Sequence, residues 1–379
     1  MKKVLFVATV FRFFNFEKSD MEILSSMGFE IHTASNMYGY KDLGDDGTLN
    51  SIHTINHQID FGRSPLSKQS VIAYKQLKKL LNENHYDLIH CHTPVAAAIL
   101  RVSAISARKR GAKVIYTDHG FHFHKKTSLL SWLLYCPIEF VLAKVTDCII
   151  TINKEDLNLI KKFPIKEVRY IPGVGVDTSF ISNLAVNKSQ VRKSFNIPEN
   201  AFLIMSIGEL CVRKNHEVII KAISKLSDNE IYYLIFGSGD RLDYLKRLTN
   251  ELGLNNRVIF AGKLPHVDVL KYAHVSDIGA IPSLIEGLGL AGIETMAAGK
   301  PLIGSNIHGI NDYLINGVTG ISCSPHDIDG FASAIEKLKS DKAFYSDCCN
   351  AASQKSKEFD INIVRDLMRK YYSEFVRES

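Results

Sequence analysis

The sequence predicts an α/β protein made of two consecutive doubly wound, Rossmann-like units, and three observations carry that expectation. Short apolar runs of four to seven residues recur along all 379 residues, separated by longer amphipathic stretches. Such runs, apolar without alternation, suit parallel strands buried on both faces. The alternation pauses once, at VRYIPGVGVDTSF (168–180), a strand end followed by a proline and two glycines. It then restarts with the same rhythm, so the pause reads as a linker between two units.

In the first unit KVLFVA (3–8), FEIHTA (29–34), YDLIHCH (86–92), KVIYTD (113–118) and DCIITI (147–152) are the predicted strands. Apolar positions at helical spacing fill 66–84 and 94–109, the second opening on Pro94, a residue favoured in a first helical turn. In the second unit the strands are FLIMSIG (202–208), IYYLIFG (231–237), RVIFAG (257–262), DIGAIP (277–282) and PLIGS (301–305). Helices are expected at about 214–227, 239–253, 265–275 and 289–299. The expected division is 1–175 and 176–379, with a charged amphipathic helix over about 361–379 free to pack back on the first unit. Two such units leave a cleft between them, and ligands of these sheets bind at the carboxyl ends of the strands.

A chain of this length is comfortable as two domains. With 46% hydrophobic and 23% charged residues it is an ordinary globular sequence rather than a disordered one. The net charge of +6 is uneven: residues 1–180 hold 23 basic and 17 acidic side chains, and the remainder 23 of each. A basic first half can attract anionic lipid, a diphosphate or nucleic acid, although a solvated surface explains the same excess. No nucleic-acid partner is expected. Seven cysteines without a CxxC pattern point to a reducing cytoplasm rather than a disulfide framework. The opening MKKVLFVATVFRFF is too short in its apolar run, and too soon interrupted by Arg12, for a signal peptide. No window approaches the ~20 apolar residues of a membrane span.

The chemistry concentrates in IPSLIEGLGLAGIETMAAGKPLIGS (281–305), which holds Glu286 and Glu294 with seven residues between them. Glu286 lies in a loop with Gly287 and Gly289, whose missing Cβ atoms let backbone approach a ligand. The helix that follows aims its free N–H groups at the same place, which suits a phosphate. Two carboxylates beside a phosphate site accept hydrogen bonds from sugar hydroxyls. The passage therefore reads as a nucleotide-sugar site.

That passage, together with SIGELCVRKNHEVIIKAI (206–223), FGSGD (236–240), HGINDYLINGVTG (308–320), DLIHCHTP (87–94) and YTDHGFHF (116–123), resembles the retaining glycosyltransferases of family 4. The resemblance spans nearly the whole chain and is closest to the bacterial branch that builds exopolysaccharide, capsule or O-antigen units. It implies the GT-B fold, two Rossmann-like domains facing a central cleft. It also implies a nucleotide-diphosphate sugar donor on the second half, an acceptor on the first, transfer with retention, and neither a metal nor another cofactor.

By the same resemblance Glu286 contacts the donor sugar and Glu294 the ribose hydroxyls. Gly287, Leu288, Gly289 and Leu290 line the donor, and Gly208, Gly237 and Gly239 border the diphosphate and nucleotide. Lys214 and Arg213 offset charge on the departing diphosphate. Here the chain departs from the pattern: Glu209 stands where the family has an arginine, which leaves Arg213 as the second cation. His119 matches a histidine that faces the donor sugar across the cleft, and Asp118 is placed to orient it or to serve as a polar neighbour. His122 and His124 follow at spacings that suggest a metal, but no carboxylate or cysteine is near in sequence to complete a set. His90 and His92 are strand-end histidines with a possible acceptor contact.

Two segments remain. ATVFRFFNF (8–16) replaces the glycine-rich first loop of many relatives, and its aromatics are candidates for the core. SLLSWLLYCPIEFVLAK (128–144), after Lys125 and Lys126, suits either a buried helix or a membrane interface. The expected reaction is transfer of a hexose or N-acetylhexosamine from a UDP-sugar to a lipid-linked saccharide at the inner face of the cell membrane. A small soluble acceptor is an alternative. A UDP-sugar epimerase shares the architecture but not the combination of GELCVRKN with the paired glutamates. A dinucleotide oxidoreductase lacks its G-x-G-x-x-G in both units.

Overall fold

The computed structural model describes residues 1–39, 47–62, 67–125 and 127–377; Lys126 and Leu66, the first residue of the predicted 66–84 helix, lie outside the described residues. The chain runs β1 (Lys2–Val10), a 3-10 turn (Phe11–Glu17), α1 (Lys18–Ser26), β2 (Phe29–Asn36), β3 (Thr54–Gln58), α2 (Lys68–Glu83), β4 (Leu88–Cys91), α3 (Pro94–Ser103) and α4 (Ile105–Lys109). It continues with β5 (Lys113–Asp118), α5 (Leu129–Ala143), β6 (Cys148–Thr151), α6 (Lys154–Ile160), β7 (Glu167–Tyr170), α7 (Thr178–Ser182) and α8 (Lys188–Lys193). Then follow β8 (Phe202–Ile207), α9 (His216–Ser224), β9 (Ile231–Phe236), α10 (Leu242–Glu251), β10 (Val258–Gly262), α11 (His266–Val275), β11 (Ile278–Ile281) and α12 (Leu290–Ala297). The last elements are β12 (Leu302–Ser305), β13 (Gly320–Cys323), α13 (Ile328–Ser340), α14 (Lys342–Ser356) and α15 (Ile361–Arg377).

The chain divides into a first unit of Met1–Val174 with Asn362–Ser379 and a second of Gly175–Ile361. The first holds a parallel sheet in the order β3-β2-β1-β4-β5-β6-β7. The second holds a parallel sheet in the order β10-β9-β8-β11-β12-β13. Both are doubly wound, and the strand order reverses between β1 and β4 and between β8 and β11. Ligands of such sheets bind at those reversal points, beyond the carboxyl ends of the strands.

Each unit has its own core. In the first, Leu5, Val7, Ile89, Val114 and Ile149 from the central strands meet Leu77, Leu81 and Leu100 from the helices. In the second, Ile204, Tyr233, Ile235, Ile278 and Ile303 meet Ile219, Ile223, Phe331 and Ile335. α15 returns to the first unit. Its buried Tyr372 sets its hydroxyl 2.8 Å from His90 Nδ1 and donates to Asp20 Oδ2 at 2.7 Å, while Tyr371 donates to the Tyr170 carbonyl at 2.9 Å.

β3 and β13 have no counterpart among the predicted strands. Both are edge strands, and TINHQ in β3 is too polar to read as a buried run. The predicted 94–109 helix is two helices, interrupted at Ala104.

Candidate active site

In the second unit the site residues gather at the β8/β11 reversal. β8 ends at Ile207, and Gly208 follows, where an added Cβ would lie 3.3 Å from the Lys214 side chain. Gly237 comes directly after β9 at φ +141°, and a Cβ there would stand 1.8 Å from the Gly208 carbonyl oxygen. At Gly239 it would stand 2.3 Å from the Leu210 oxygen. These glycines let two strand-end loops lie backbone to backbone, which fixes the turn Val212–Lys214 that carries both cations.

The loop after β11 brings Glu286 to those cations. Lys214 Nζ donates to Glu286 Oε2 at 2.5 Å, Ser283 Oγ donates to the same oxygen at 3.0 Å, and Arg213 Nη1 lies 3.5 Å from it. The Lys214 and Glu286 side chains are mostly buried, at 17% and 12% exposure, whereas Arg213 is open to solvent. Glu209, in the position of the family arginine, is exposed. Gly289, at φ +87°, starts α12, and no side chain among the described residues caps that helix. Its N-terminal N–H groups and dipole therefore face the loop that holds Glu286. Leu288 is buried beneath the loop and Leu290 opens the helix. Glu294, on the second turn, pairs through Oε1 with His266 Nε2 at 2.8 Å, and this hydrogen bond raises the His266 pKa.

Three residues to which no role was assigned from the sequence shape this loop. His308 Nδ1 lies 3.0 Å from the Glu286 carbonyl oxygen, and Tyr313 donates to the Gly289 carbonyl at 3.2 Å. Gly309 allows a close backbone approach, since a Cβ there would come within 1.9 Å of the Gly287 oxygen. Their signal was the run HGINDYLINGVTG, legible as a motif but silent about which residue touches what.

The first unit holds Asp118 and His119, at the end of β5. Asp118 is buried and accepts from the Tyr116 hydroxyl at 3.2 Å and the Gly120 N–H at 3.1 Å. Burial, reinforced by Asp156, pushes its pKa well up. It also borders a small cavity with Arg101, His122 and Glu139. The expectation that Asp118 orients His119 is corrected: the carboxylate beside His119 is Glu17, whose Oε1 lies 3.4 Å from His119 Nε2. The same oxygen lies 3.4 Å from His92 Nδ1.

That carboxylate joins His119 to His92, and not to His122 or His124, whose spacing suggested a metal. Glu17 comes from the end of the aromatic 3-10 turn, far away in sequence, and only the β1/β4/β5 adjacency brings it in. In that turn Phe11 and Phe14 enter the core, while Phe13 packs edge-on against His119 with ring centroids 4.9 Å apart. His90 is a core residue, with its ring nitrogens 2.8 Å from the Tyr372 hydroxyl and 2.7 Å from the Thr117 hydroxyl.

Residues 3–153 match the family described as Glycosyl transferase 4-like, and residues 187–355 match Glycosyl transferases group 1. EpsD of Bacillus subtilis, assigned as a glycosyltransferase, is 33% identical over 343 residues, covering 89% of this chain and 87% of its own. A UDP-Gal:alpha-D-GlcNAc-diphosphoundecaprenol alpha-1,3-galactosyltransferase of Escherichia coli is 31% identical over 277 residues, 70% of each chain. The crystal structure of Anabaena HepE in complex with UDP and glucose superposes with a TM-score of 0.80 at 18% identity, over 99% of this chain and all of that one, and so shares its fold. Two parallel-sheet units, both family matches and these relatives together make the chain a glycosyltransferase of family 4, with the GT-B fold.

Proposed function

We propose that this enzyme transfers a hexose or N-acetylhexosamine from a UDP-sugar to a lipid-linked saccharide, with retention at the anomeric carbon, during assembly of a surface polysaccharide. The observation that carries the reading is Glu286, a mostly buried carboxylate held by Lys214 and Ser283 beside the uncapped start of α12. The helix start and the two cations suit a diphosphate, and the carboxylate suits the sugar attached to it. UDP in the HepE structure and the UDP-galactose and diphosphoundecaprenol named for the E. coli relative support the choice of donor and acceptor.

In this scheme the donor's diphosphate competes with Glu286 for Lys214 and frees the carboxylate for a sugar hydroxyl. The bond from C1 to the diphosphate oxygen breaks and its electron pair leaves with the phosphate. Lys214 and Arg213 offset the growing negative charge, so this step requires no metal. The acceptor hydroxyl attacks C1 from the same face and passes its proton to the departing phosphate oxygen, giving UDP and the glycoside. Glu294 holds the ribose, and His119 contacts the sugar or positions the acceptor. The exposed apolar side chains of α5, Leu129, Leu130, Leu133 and Val141 among them, support contact with the membrane that carries the acceptor. Cosedimentation with anionic vesicles tests that contact.

The decisive experiment supplies the purified chain with UDP-sugars and an undecaprenyl-diphosphate-linked saccharide. A glycosylated lipid of retained configuration is expected, and Glu286→Ala should abolish it while the chain still folds. A new UDP-sugar epimer formed without acceptor, or full activity in folded Glu286→Ala, would overturn the reading.

A further inference from the structure

Glu17, His92 and His119 place three metal-ligating atoms around one point at the β1/β4 reversal of the first unit. Glu17 Oε1 lies 3.4 Å from His92 Nδ1 and 3.4 Å from His119 Nε2, and the two imidazole nitrogens are 3.3 Å apart. The three atoms form a nearly equilateral triangle. Ligands about 2.0–2.1 Å from a tetrahedral zinc ion stand about 3.3–3.4 Å from one another, so the triangle matches one face of such a site. Two imidazoles and one carboxylate with an open fourth position are a familiar donor set for zinc.

The surroundings favour a cation here. Glu17 is 4% exposed, its Oε1 makes no hydrogen bond, and no lysine or arginine pairs with it among the described residues. Asp20, one helical turn on, adds a second buried carboxylate. The rings are held before any ion arrives: Phe6 stacks on His92 at 6.1 Å and Phe13 packs on His119. Solvent reaches the cluster through His119, which is 20% exposed where His92 is fully buried.

We infer that Glu17, His92 and His119 bind one divalent transition-metal ion of the zinc type, with a fourth position for water or a substrate oxygen. Its three ligands all belong to the first unit, whereas the cations assigned to the diphosphate belong to the second, and the site stands whatever the sugar transferred. His92 Nε2 makes no hydrogen bond among the described residues. Outer hydrogen bonds to ligating histidines strengthen binding by about 10–100-fold, so a tight but chelator-removable ion is expected.

The test uses the full chain without a polyhistidine tag, stripped by chelator and titrated with Co²⁺ and then Zn²⁺. One equivalent of Co²⁺ should bind, give the visible absorption of a four-coordinate ion, and be displaced by Zn²⁺. Glu17→Gln and His92→Gln should each weaken binding at least about tenfold, a ligand mattering no less than its outer partner. His122→Gln should bind as the unaltered chain does. If a buried variant fails to fold, His119→Gln, at the solvent-reached corner, gives the same reading. No stoichiometric ion in the unaltered chain, or unweakened binding in the folded ligand variants, overturns the site. Neither donor nor acceptor enters the measurement, so its failure would leave the transferase reading untouched.

Discussion

Lys214 and Glu286 neutralise each other across 2.5 Å, while Arg213 stands 1 Å farther out and exposed. The two cations are therefore unequal. Lys214 is the one positioned by packing, against Gly208, and in the proposed scheme it leaves Glu286 to meet a phosphate. Lys214→Met should lower kcat by about 10²–10³-fold, the range for removing one preorganised charge partner of a transition state. Arg213→Met should cost less, because a solvent-exposed charge is screened. Steady-state kinetics on both variants checks the ranking; equal losses would contradict it. The glutamates and the lysine were legible because each sits in a motif with local spacing. Glu17 was not: nothing in FRFFNFE marks its glutamate as a partner of two histidines that arrive on other strands.

At the level of elements, α5 combines a half-anchored and a half-exposed helix. Glu139 reaches back to Arg101 through two hydrogen bonds, the longer 2.8 Å, and Trp132 donates to the His124 carbonyl at 3.1 Å. Those contacts hold one side on the core, while Leu129, Leu130 and Leu133 are each more than 60% exposed. No helix among the described residues is long and apolar enough to cross a membrane. An apolar face next to exposed Lys125 and Lys144 instead suits an anionic interface. The chain should sediment with anionic vesicles at low salt, release as salt rises, and lose binding in Leu130→Glu/Leu133→Glu. Absence of binding at low salt would remove the membrane proposal. The sequence left this helix between core and interface, because its composition suits both and only side-chain exposure separates them.

For the molecule as a whole, acid sensitivity follows from histidines folded in their neutral form. His216 is buried at the start of α9, its Nδ1 3.2 Å from the Tyr233 hydroxyl, and burial, with Lys214 nearby, lowers its pKa to about 4. An unfolded histidine titrates near 6.5, so between those values the unfolded chain binds more protons and stability falls as pH falls. The loss is absent above about pH 7 and reaches about 2 kcal/mol for His216 at pH 5. Thermal unfolding at pH 7.5 and 5 should show it, and His216→Gln should shrink the difference; an unchanged difference would exclude His216 as its source.

The sequence by itself determined the two α/β units, their central strands and the donor motif, because buried parallel strands and glycine-rich strand ends are local patterns. Tertiary structure decided the edge strands β3 and β13, the return of α15 to the first unit through Tyr372, and the triangle of Glu17, His92 and His119. Each of these depends on which strands lie side by side, and adjacency between distant segments leaves no periodic trace in the chain.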